Sequence, residues 1–212
     1  MTLPLFPPDP RQALATGAWL FRGFALAEAT ALVDDVQEAL AEAPLRHMIT
    51  AGGHRMSVAM SNCGELGWVS DRAGYRYAPL DPERGLPWPA MPARFLLLAR
   101  RAAQAAGFED FTPDACLVNR YETGTKLSLH QDRDERDFEQ PIVSVSLGVP
   151  AVFLFGGARR QDRPQRVDLV HGDVVVWGGP SRLHYHGVAE LAFAQQELTG
   201  HHRFNLTFRK AG

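Results

Sequence analysis

The chain has 212 residues, of which 45% are apolar and 22% charged, and its formal net charge at pH 7 is −2. Such values are typical of a globular protein with a sizeable core, arranged as one large domain or as one domain with an added lobe. They exclude a chain that binds nucleic acid through bulk positive charge, and no run approaches the 18 apolar residues of a membrane-spanning helix.

The N-terminal part of the chain predicts an irregular start, a strand and a helix. Residues 1–12 are rich in proline and lack the basic start of a signal peptide. The two cysteines, Cys63 and Cys116, show no paired spacing, so we expect a reducing, cytoplasmic location. Residues 19–21 predict a short strand, and apolar residues at helical spacing predict a helix over residues 27–43 that ends at a proline.

Residues 46–89 differ in character, because glycine, proline and aromatic residues replace long apolar runs. Residues 56–60 predict one strand of a hairpin, and residues 75–77 predict another strand. Much of the aromatic surface of the chain lies in this segment, at Trp68, Tyr75, Tyr77 and Trp88. Two interpretations stay open: ordinary hairpin packing, or a lid whose rings stack on a flat ligand such as an extruded base.

The rest of the chain predicts one more helix and then a β-rich core. Residues 92–106 carry an apolar helical face, with Pro92 in the first turn and Gly107 after the end. Short strands are predicted at residues 115–121, 142–147, 151–155, 166–170, 173–177, 183–186 and 203–208. Many short strands without intervening helices favour a jelly roll or sandwich over a βαβ fold.

The last predicted strand carries a row of polar side chains on one face: Arg203, Asn205, Thr207 and Arg209. This row is either an exposed polar face or a site for a small dianionic ligand, because arginine presents a planar fork that matches a carboxylate. Asn119 and Tyr121 share a face of an earlier strand, and both side chains can bind carboxylate oxygens.

The pair His130-x-Asp132 predicts a metal site. In an extended strand, residues i and i+2 point to the same face, so an imidazole and a carboxylate can bind one ion from one side. A second histidine would complete the two-His, one-carboxylate set of non-haem Fe(II) oxygenases. The alternative is a surface turn in the charged segment 131–136. Spacing alone leaves five candidates for the further ligand: His171, His184, His186, His201 and His202.

These motifs follow one another in an ordered set that runs almost the length of the chain: Asn119-x-Tyr121, His130-x-Asp132, His186 and Arg203-x-Asn205-x-Thr207-x-Arg209. The set resembles the AlkB family of nucleic-acid demethylases, with further similarity at residues 56–60, 87–92, 113–117, 126–132, 141–148, 171–179, 181–183 and 185–187. The resemblance implies a mostly β protein with flanking helices, in which a double-stranded β-helix (jelly roll) core carries an N-terminal nucleotide-recognition lid. It implies an N-terminal extension with a helix at 1–44, the lid at 45–89 and the dioxygenase core at 90–212.

The resemblance also implies Fe(II), with 2-oxoglutarate and O2 as co-substrates. The iron ligands are expected to be His130, Asp132 and His186. The distal carboxylate of 2-oxoglutarate is expected at Arg203, Tyr121 and Asn205, and its other end at Arg209 and Asn119. Trp68 and His130 are expected to sandwich the extruded base beside Asp134. The full set of expected substrate contacts is Trp68, Tyr75, Lys126, Gln131, Arg133, Asp134, Glu135 and Arg160.

The implied activity is oxidative demethylation of N-alkylated bases, 1-methyladenine and 3-methylcytosine, with release of formaldehyde, succinate and CO2. The implied partner is alkylated single- or double-stranded DNA, with RNA as an alternative, and the protein is expected to act as a monomer away from membranes. One loop contains four arginines and a single acidic residue, Asp162: Arg159, Arg160, Arg163 and Arg166. Its local excess of positive charge suits the binding of phosphates. The family pattern has aromatic residues where this chain has His54 and His184, and a lysine at Arg133.

Two rival interpretations stay open. The first is a dioxygenase of the same iron class that acts on a small molecule or a protein, which would not need the lid aromatics or Asp134. The second is a non-catalytic module that binds damaged nucleic acid without consuming 2-oxoglutarate. A metal-binding jelly-roll isomerase is weaker, because it leaves the two arginines of the last strand unexplained.

Overall fold

The computed structural model describes residues 10–212, in which strands dominate. The strands are β1 (Arg11–Ala15), β2 (Ala18–Phe21), β3 (Ala59–Gly64), β4 (Gly67–Asp71), β5 (Gly74–Ala78), β6 (Ala115–Tyr121), β7 (Leu127–His130), β8 (Ile142–Gly148), β9 (Ala151–Phe155), β10 (Gln165–Leu169), β11 (Val174–Trp177), β12 (His186–Val188) and β13 (Arg203–Arg209). The helices are α1 (Ala29–Glu42) and α2 (Ala93–Ala105). Most of the predicted irregular start, residues 1–9, lies outside the described residues.

Antiparallel pairing joins the strands into two sheets and one hairpin. The larger sheet has the order β1-β2-β11-β8-β13-β6-β3, the smaller sheet has the order β10-β9-β12-β7, and β4 and β5 form the hairpin. Apolar side chains of both sheets, including Leu117 and Trp177 from the larger and Phe153 and Val188 from the smaller, form one buried cluster. The two sheets therefore face each other, as the jelly-roll prediction requires.

Both helices cover the outer face of the larger sheet. Leu32 and Val36 of α1 and Phe95 and Ala99 of α2 recur at helical spacing and are buried. They share one cluster with the outer side chains of the larger sheet, and the rings of Phe95 and Phe208 meet edge to face at 5.9 Å between centroids. The protein thus has three layers, and β13 lies in the middle layer with one face toward the helices and the other toward the smaller sheet.

The predicted strand at 183–186 is wrong except at its last residue. A turn of 3-10 helix spans Gly179–Ser181, and the amide of His184 donates to the carbonyl of Ser181 at 2.9 Å. This turn uses the amide that a strand would offer to a neighbour, so β12 begins only at His186. His184 and His186 therefore do not share one face of a strand.

The segment after α1 also pairs differently from its prediction. The strand expected at 56–60 begins at Ala59 and runs along β6 at the edge of the larger sheet. Residues 75–77 lie in β5, whose partner is β4, so that Tyr77 is directly opposite Trp68. The domain boundaries at residues 44 and 89 stay a prediction. Within residues 10–212, no helix has the length and apolar character needed to cross a membrane.

Candidate metal centre and substrate cavity

The smaller sheet brings two histidines together. His130 ends β7, His186 begins β12, and the two residues are direct partners in the antiparallel register, with ring centroids 4.4 Å apart. The Nδ1 atoms lie 2.9 Å from the Ser128 carbonyl and 3.0 Å from the His184 carbonyl, respectively. Because a carbonyl only accepts, Nδ1 carries the proton in both rings and leaves Nε2 with a free lone pair.

Asp132 completes a group of three. Its Oδ1 lies 3.6 Å from Nε2 of His130, and its Oδ2 lies 3.7 Å from Nε2 of His186. One ligand atom from each residue falls within 4.8 Å of the other two. Two imidazoles and one carboxylate on one side of an ion leave positions free for other ligands, which is the set that non-haem Fe(II) oxygenases use.

The other four candidate histidines are engaged elsewhere. Nδ1 of His171 accepts from the amide of Gly148, and His201 contacts the Ala194 carbonyl. His202 lies 3.7 Å from Glu122. The ring of His184 lies against Phe155, and its backbone carbonyl accepts from Nδ1 of His186.

Electrostatics keep two of the three ligand groups, Asp132 and His186, deprotonated. Burial alone would raise the pKa of Asp132, but Arg209 and the two histidines outweigh it and hold the pKa below its usual value. Burial, with the nearby ring of His130, lowers the pKa of His186 to about 3. Both groups are therefore in the form that binds metal at neutral pH.

A cavity of about 630 Å³ lies between the two sheets beside this group. The polar face of β13 forms part of its wall, and all four predicted members, Arg203, Asn205, Thr207 and Arg209, line it. Asn119 and Tyr121 line it from the neighbouring strand β6. The alternative of an exposed polar face is excluded, because each of these side chains is buried.

Two of the three guanidinium nitrogens of Arg203 lack a hydrogen-bond partner among the described residues at this wall. Its Nη2 donates to Ser146 Oγ at 3.0 Å, whereas Nε and Nη1 make no hydrogen bond of acceptable geometry within residues 10–212. The same holds for the Tyr121 hydroxyl and for Oδ1 of Asn119. Buried groups of this kind rarely stay unpaired, and a guanidinium beside a phenol hydroxyl suits a carboxylate. The residues present therefore fit 2-oxoglutarate.

Arg209 lies at the metal side of the cavity. Its Nη2 lies 2.7 Å from Oδ2 of Asp132, and its Nε lies 3.4 Å from Oε1 of Glu135. Burial would lower the pKa of Arg209, but Asp132, Tyr77 and Glu135 raise it above its usual value. A permanent positive charge is thus fixed beside the carboxylate ligand.

The hairpin β4–β5 supplies aromatic side chains to the same cavity. Trp68 is half-buried, its ring stacks on Tyr75 at 5.6 Å between centroids with 12° between the planes, and both line the cavity. Nε1 of Trp68 donates to Oδ2 of Asp134 at 2.7 Å. Six of the eight predicted substrate contacts line the cavity: Trp68, Tyr75, Lys126, Gln131, Arg133 and Asp134.

Two predicted substrate contacts lie outside the cavity lining. Arg160 is exposed and lies 5.9 Å from the ring centroid of Tyr185. Glu135 is buried and paired with Arg182. The sequence interpretation also missed Ser144 and Ser146, which hold Asn205 and Arg203 through hydrogen bonds. The sequence pattern could have indicated them, because the two serines alternate with valines in a strand that is buried throughout.

Comparison with known proteins agrees with this geometry. Residues 17–209 match the family model of the 2OG-Fe(II) oxygenase superfamily. The chain is 56% identical to the "Alpha-ketoglutarate-dependent dioxygenase AlkB" of Escherichia coli (strain K12), over 95% of this chain and 94% of that one. It is 38% identical to the human "Nucleic acid dioxygenase ALKBH1", over 46% of this chain and 25% of that one. The solved structure of OsALKBH1 superposes with a TM-score of 0.83 at 30% identity, over 95% of this chain and 100% of that one. The chain therefore belongs to the 2OG-Fe(II) oxygenase superfamily and, within it, to the AlkB family of dioxygenases, which use Fe(II), 2-oxoglutarate and O2.

Proposed function

We propose that the protein removes methyl groups from the ring nitrogens of nucleic-acid bases by oxidation, with 1-methyladenine and 3-methylcytosine as substrates. The observation that carries the proposal is the content of one cavity: three metal ligands, a buried arginine with unused hydrogen bonds, and a half-buried aromatic hairpin. The names of the E. coli and human relatives, a 2-oxoglutarate-dependent dioxygenase and a nucleic acid dioxygenase, support the same activity.

In this proposal one part of the cavity binds the metal ion and another part binds 2-oxoglutarate. His130, Asp132 and His186 hold Fe(II). Arg203, with Tyr121 and Asn205, binds the distal carboxylate of 2-oxoglutarate, while Arg209 and Asn119 lie around its other end. When bound, iron and 2-oxoglutarate supply the oxidising power: one atom of O2 enters succinate as CO2 leaves, and the other leaves with the methyl carbon as formaldehyde.

The remaining side chains bind and orient the base. Trp68 and His130 line the same cavity, and we expect the base to lie between their rings. Stacking of a base on an aromatic ring contributes about 1–3 kcal/mol. Asp134 is an exposed residue, and its negative charge favours a cationic methylated ring over a neutral one. Lys126 and Arg133 are exposed, line the same cavity and suit the phosphates of the strand. Apolar side chains also line the cavity and would limit the access of water to the reaction.

The finer features belong to the same proposal. The substrate strand is single- or double-stranded DNA, with RNA as an alternative. The protein acts as a monomer in the cytoplasm. Residues 45–89 serve as the lid over a core at residues 90–212.

The test is formaldehyde release from an oligonucleotide with one 1-methyladenine, in the presence of Fe(II) and 2-oxoglutarate. We expect release by the wild type and none by His186→Ala. The matched control His201→Ala, whose ring contacts the Ala194 carbonyl and does not line the cavity, should release as much formaldehyde as the wild type. Equal release by wild type and His186→Ala would refute the ligand assignment.

The same assay separates the rival functions. A dioxygenase for small molecules or proteins would oxidise the free nucleoside or a methylated peptide faster than the oligonucleotide. A non-catalytic binder would retain the methylated oligonucleotide without forming succinate. We expect succinate and formaldehyde in equal amounts from the oligonucleotide, and an unmethylated oligonucleotide of the same sequence to give no formaldehyde.

A further inference from the structure

Glu135 connects the hairpin to the metal centre. It follows Asp134 in the chain, yet its carboxylate is buried away from the cavity, with 6% of the residue exposed. The Tyr77 hydroxyl donates to its Oε1 at 2.8 Å. On the other side, Nη2 of Arg182 lies 3.1 Å from Oε2 and Nε of Arg209 lies 3.4 Å from Oε1. One carboxylate thus contacts the lid hairpin and the last strand of the larger sheet.

Arg209 is shared between two carboxylates. It approaches Oδ2 of Asp132 with Nη2 at 2.7 Å and Nε at 2.9 Å, in addition to its contact with Glu135. Arg182 also donates to the backbone carbonyl of Asp132 at 3.1 Å. Two buried carboxylates therefore balance two buried guanidinium groups. Without the charge of Glu135, Arg209 would face Asp132 alone and would compete more strongly with a metal ion for its oxygen.

Two consecutive acidic residues, Asp134 and Glu135, bind the hairpin at one pair of facing residues. Trp68 and Tyr77 are opposite each other across β4 and β5. Trp68 donates to Asp134, and Tyr77 donates to Glu135. Burial raises the pKa of Tyr77 well above its usual value, so its hydroxyl stays protonated and available as a donor. A movement of the hairpin that seats a base against Trp68 therefore changes the contact between Tyr77 and Glu135.

We propose that Glu135 is a positioning residue through which occupation of the base site and occupation of the metal and 2-oxoglutarate sites strengthen each other. This inference rests on the proposed function, because it takes the hairpin as the base-binding lid. Linkage of this kind is reciprocal: 2-oxoglutarate tightens oligonucleotide binding by the same factor as the oligonucleotide tightens 2-oxoglutarate binding. A coupling factor of about tenfold lies within the usual range for linked sites.

The experiment measures that factor directly. The dissociation constant of a fluorescent 1-methyladenine oligonucleotide is determined on Mn(II)-loaded protein without O2, with and without saturating 2-oxoglutarate. We expect the ratio of the two dissociation constants to be about tenfold in the wild type and less than about twofold in Tyr77→Phe and Glu135→Gln. Tyr77→Phe removes the hydroxyl that donates to Glu135, and Glu135→Gln removes the negative charge that links this contact to Arg209. Tyr185→Phe removes a hydroxyl outside this network and should keep the wild-type ratio. Mn(II) affinity without oligonucleotide should fall about tenfold in Glu135→Gln and stay unchanged in Tyr77→Phe.

A wild-type ratio in Tyr77→Phe overturns the proposal, as does a ratio of one in the wild type. If the wild type releases formaldehyde from the oligonucleotide, but the wild type and all variants show the same ratio of dissociation constants, the inference fails and the proposed function stands. If the wild type neither binds nor demethylates the oligonucleotide, both fail. Should Glu135→Gln not fold, Tyr77→Phe carries the test, because phenylalanine keeps the ring packing.

Discussion

Replacement of Arg203 by lysine is expected to weaken 2-oxoglutarate binding without loss of metal binding. Nη2 of Arg203 is held by Ser146, while Nε and Nη1 have no hydrogen-bond partner among the described residues. Lysine keeps the charge but loses the planar fork, so at least one charge-assisted hydrogen bond to the distal carboxylate is lost. Such a bond contributes about 1.5–3 kcal/mol, which corresponds to a dissociation constant about 10- to 150-fold higher.

The assay is calorimetric titration of Mn(II)-loaded protein without O2, with 2-oxoglutarate and with 2-oxobutyrate, which lacks the distal carboxylate. The wild type should prefer 2-oxoglutarate by at least the factor above, and Arg203→Lys should lose most of that preference while binding 2-oxobutyrate as the wild type does. Arg166→Lys, on the exposed strand β10, serves as the matched control. An equal loss of affinity for both keto acids, or a 2-oxoglutarate affinity within about twofold of the wild type, would refute the reasoning.

Three further predictions concern the segment between α1 and α2. Trp68→Ala should raise the KM for a methylated oligonucleotide about 5- to 150-fold through lost stacking, measured by formaldehyde release; a parallel rise in the KM for 2-oxoglutarate would contradict this role. Asp81→Asn should lower the free energy of unfolding in urea by about 1.5–3 kcal/mol at pH 7, because Asp81 is buried and paired with Arg46 at 2.7 Å. Burial opposes ionisation, but the contacts of Asp81, chiefly with Arg46, hold its pKa below the usual 3.8, so this stabilisation is complete above that value and is lost as the pH falls; a difference that widens toward acid pH would contradict it. Gly67→Ala should destabilise the protein by about 1–3 kcal/mol, because a Cβ there lies 2.3 Å from the facing tryptophan ring; thermal melting of Gly52→Ala, where the nearest atom is 3.6 Å away, should match the wild type.

Features that depend on local periodicity were predictable from the sequence. Alternation on β13 placed Arg203 and Arg209 on one face, and the structure has both at the cavity wall. The spacing of His130 and Asp132 likewise predicted a shared ligand face, and these residues do meet. In each case the geometry of a strand fixes the direction of a side chain, whatever the distant partner is.

The further ligand depended on information that local spacing does not carry. Five histidines stood as candidates until the family resemblance selected His186. Its position follows from the register between β7 and β12, which joins residues 56 apart in the chain. Glu135 shows the same difficulty, because its burial comes from Arg182, 47 residues away. From the sequence alone, a charged segment is interpreted as solvent-exposed when the residue that pairs with it lies far away in the chain.

The direct pairing of His130 with His186 has a consequence for the maturation of the protein. A slip of one residue between β7 and β12 would preserve the order of the smaller sheet but turn one imidazole to its opposite side. Such a molecule would be compact and would melt cooperatively, yet it would take up no iron. After loading with excess metal, the metal content per chain therefore cannot exceed the fraction of molecules with the correct strand alignment, a quantity that circular dichroism of the sheets does not distinguish.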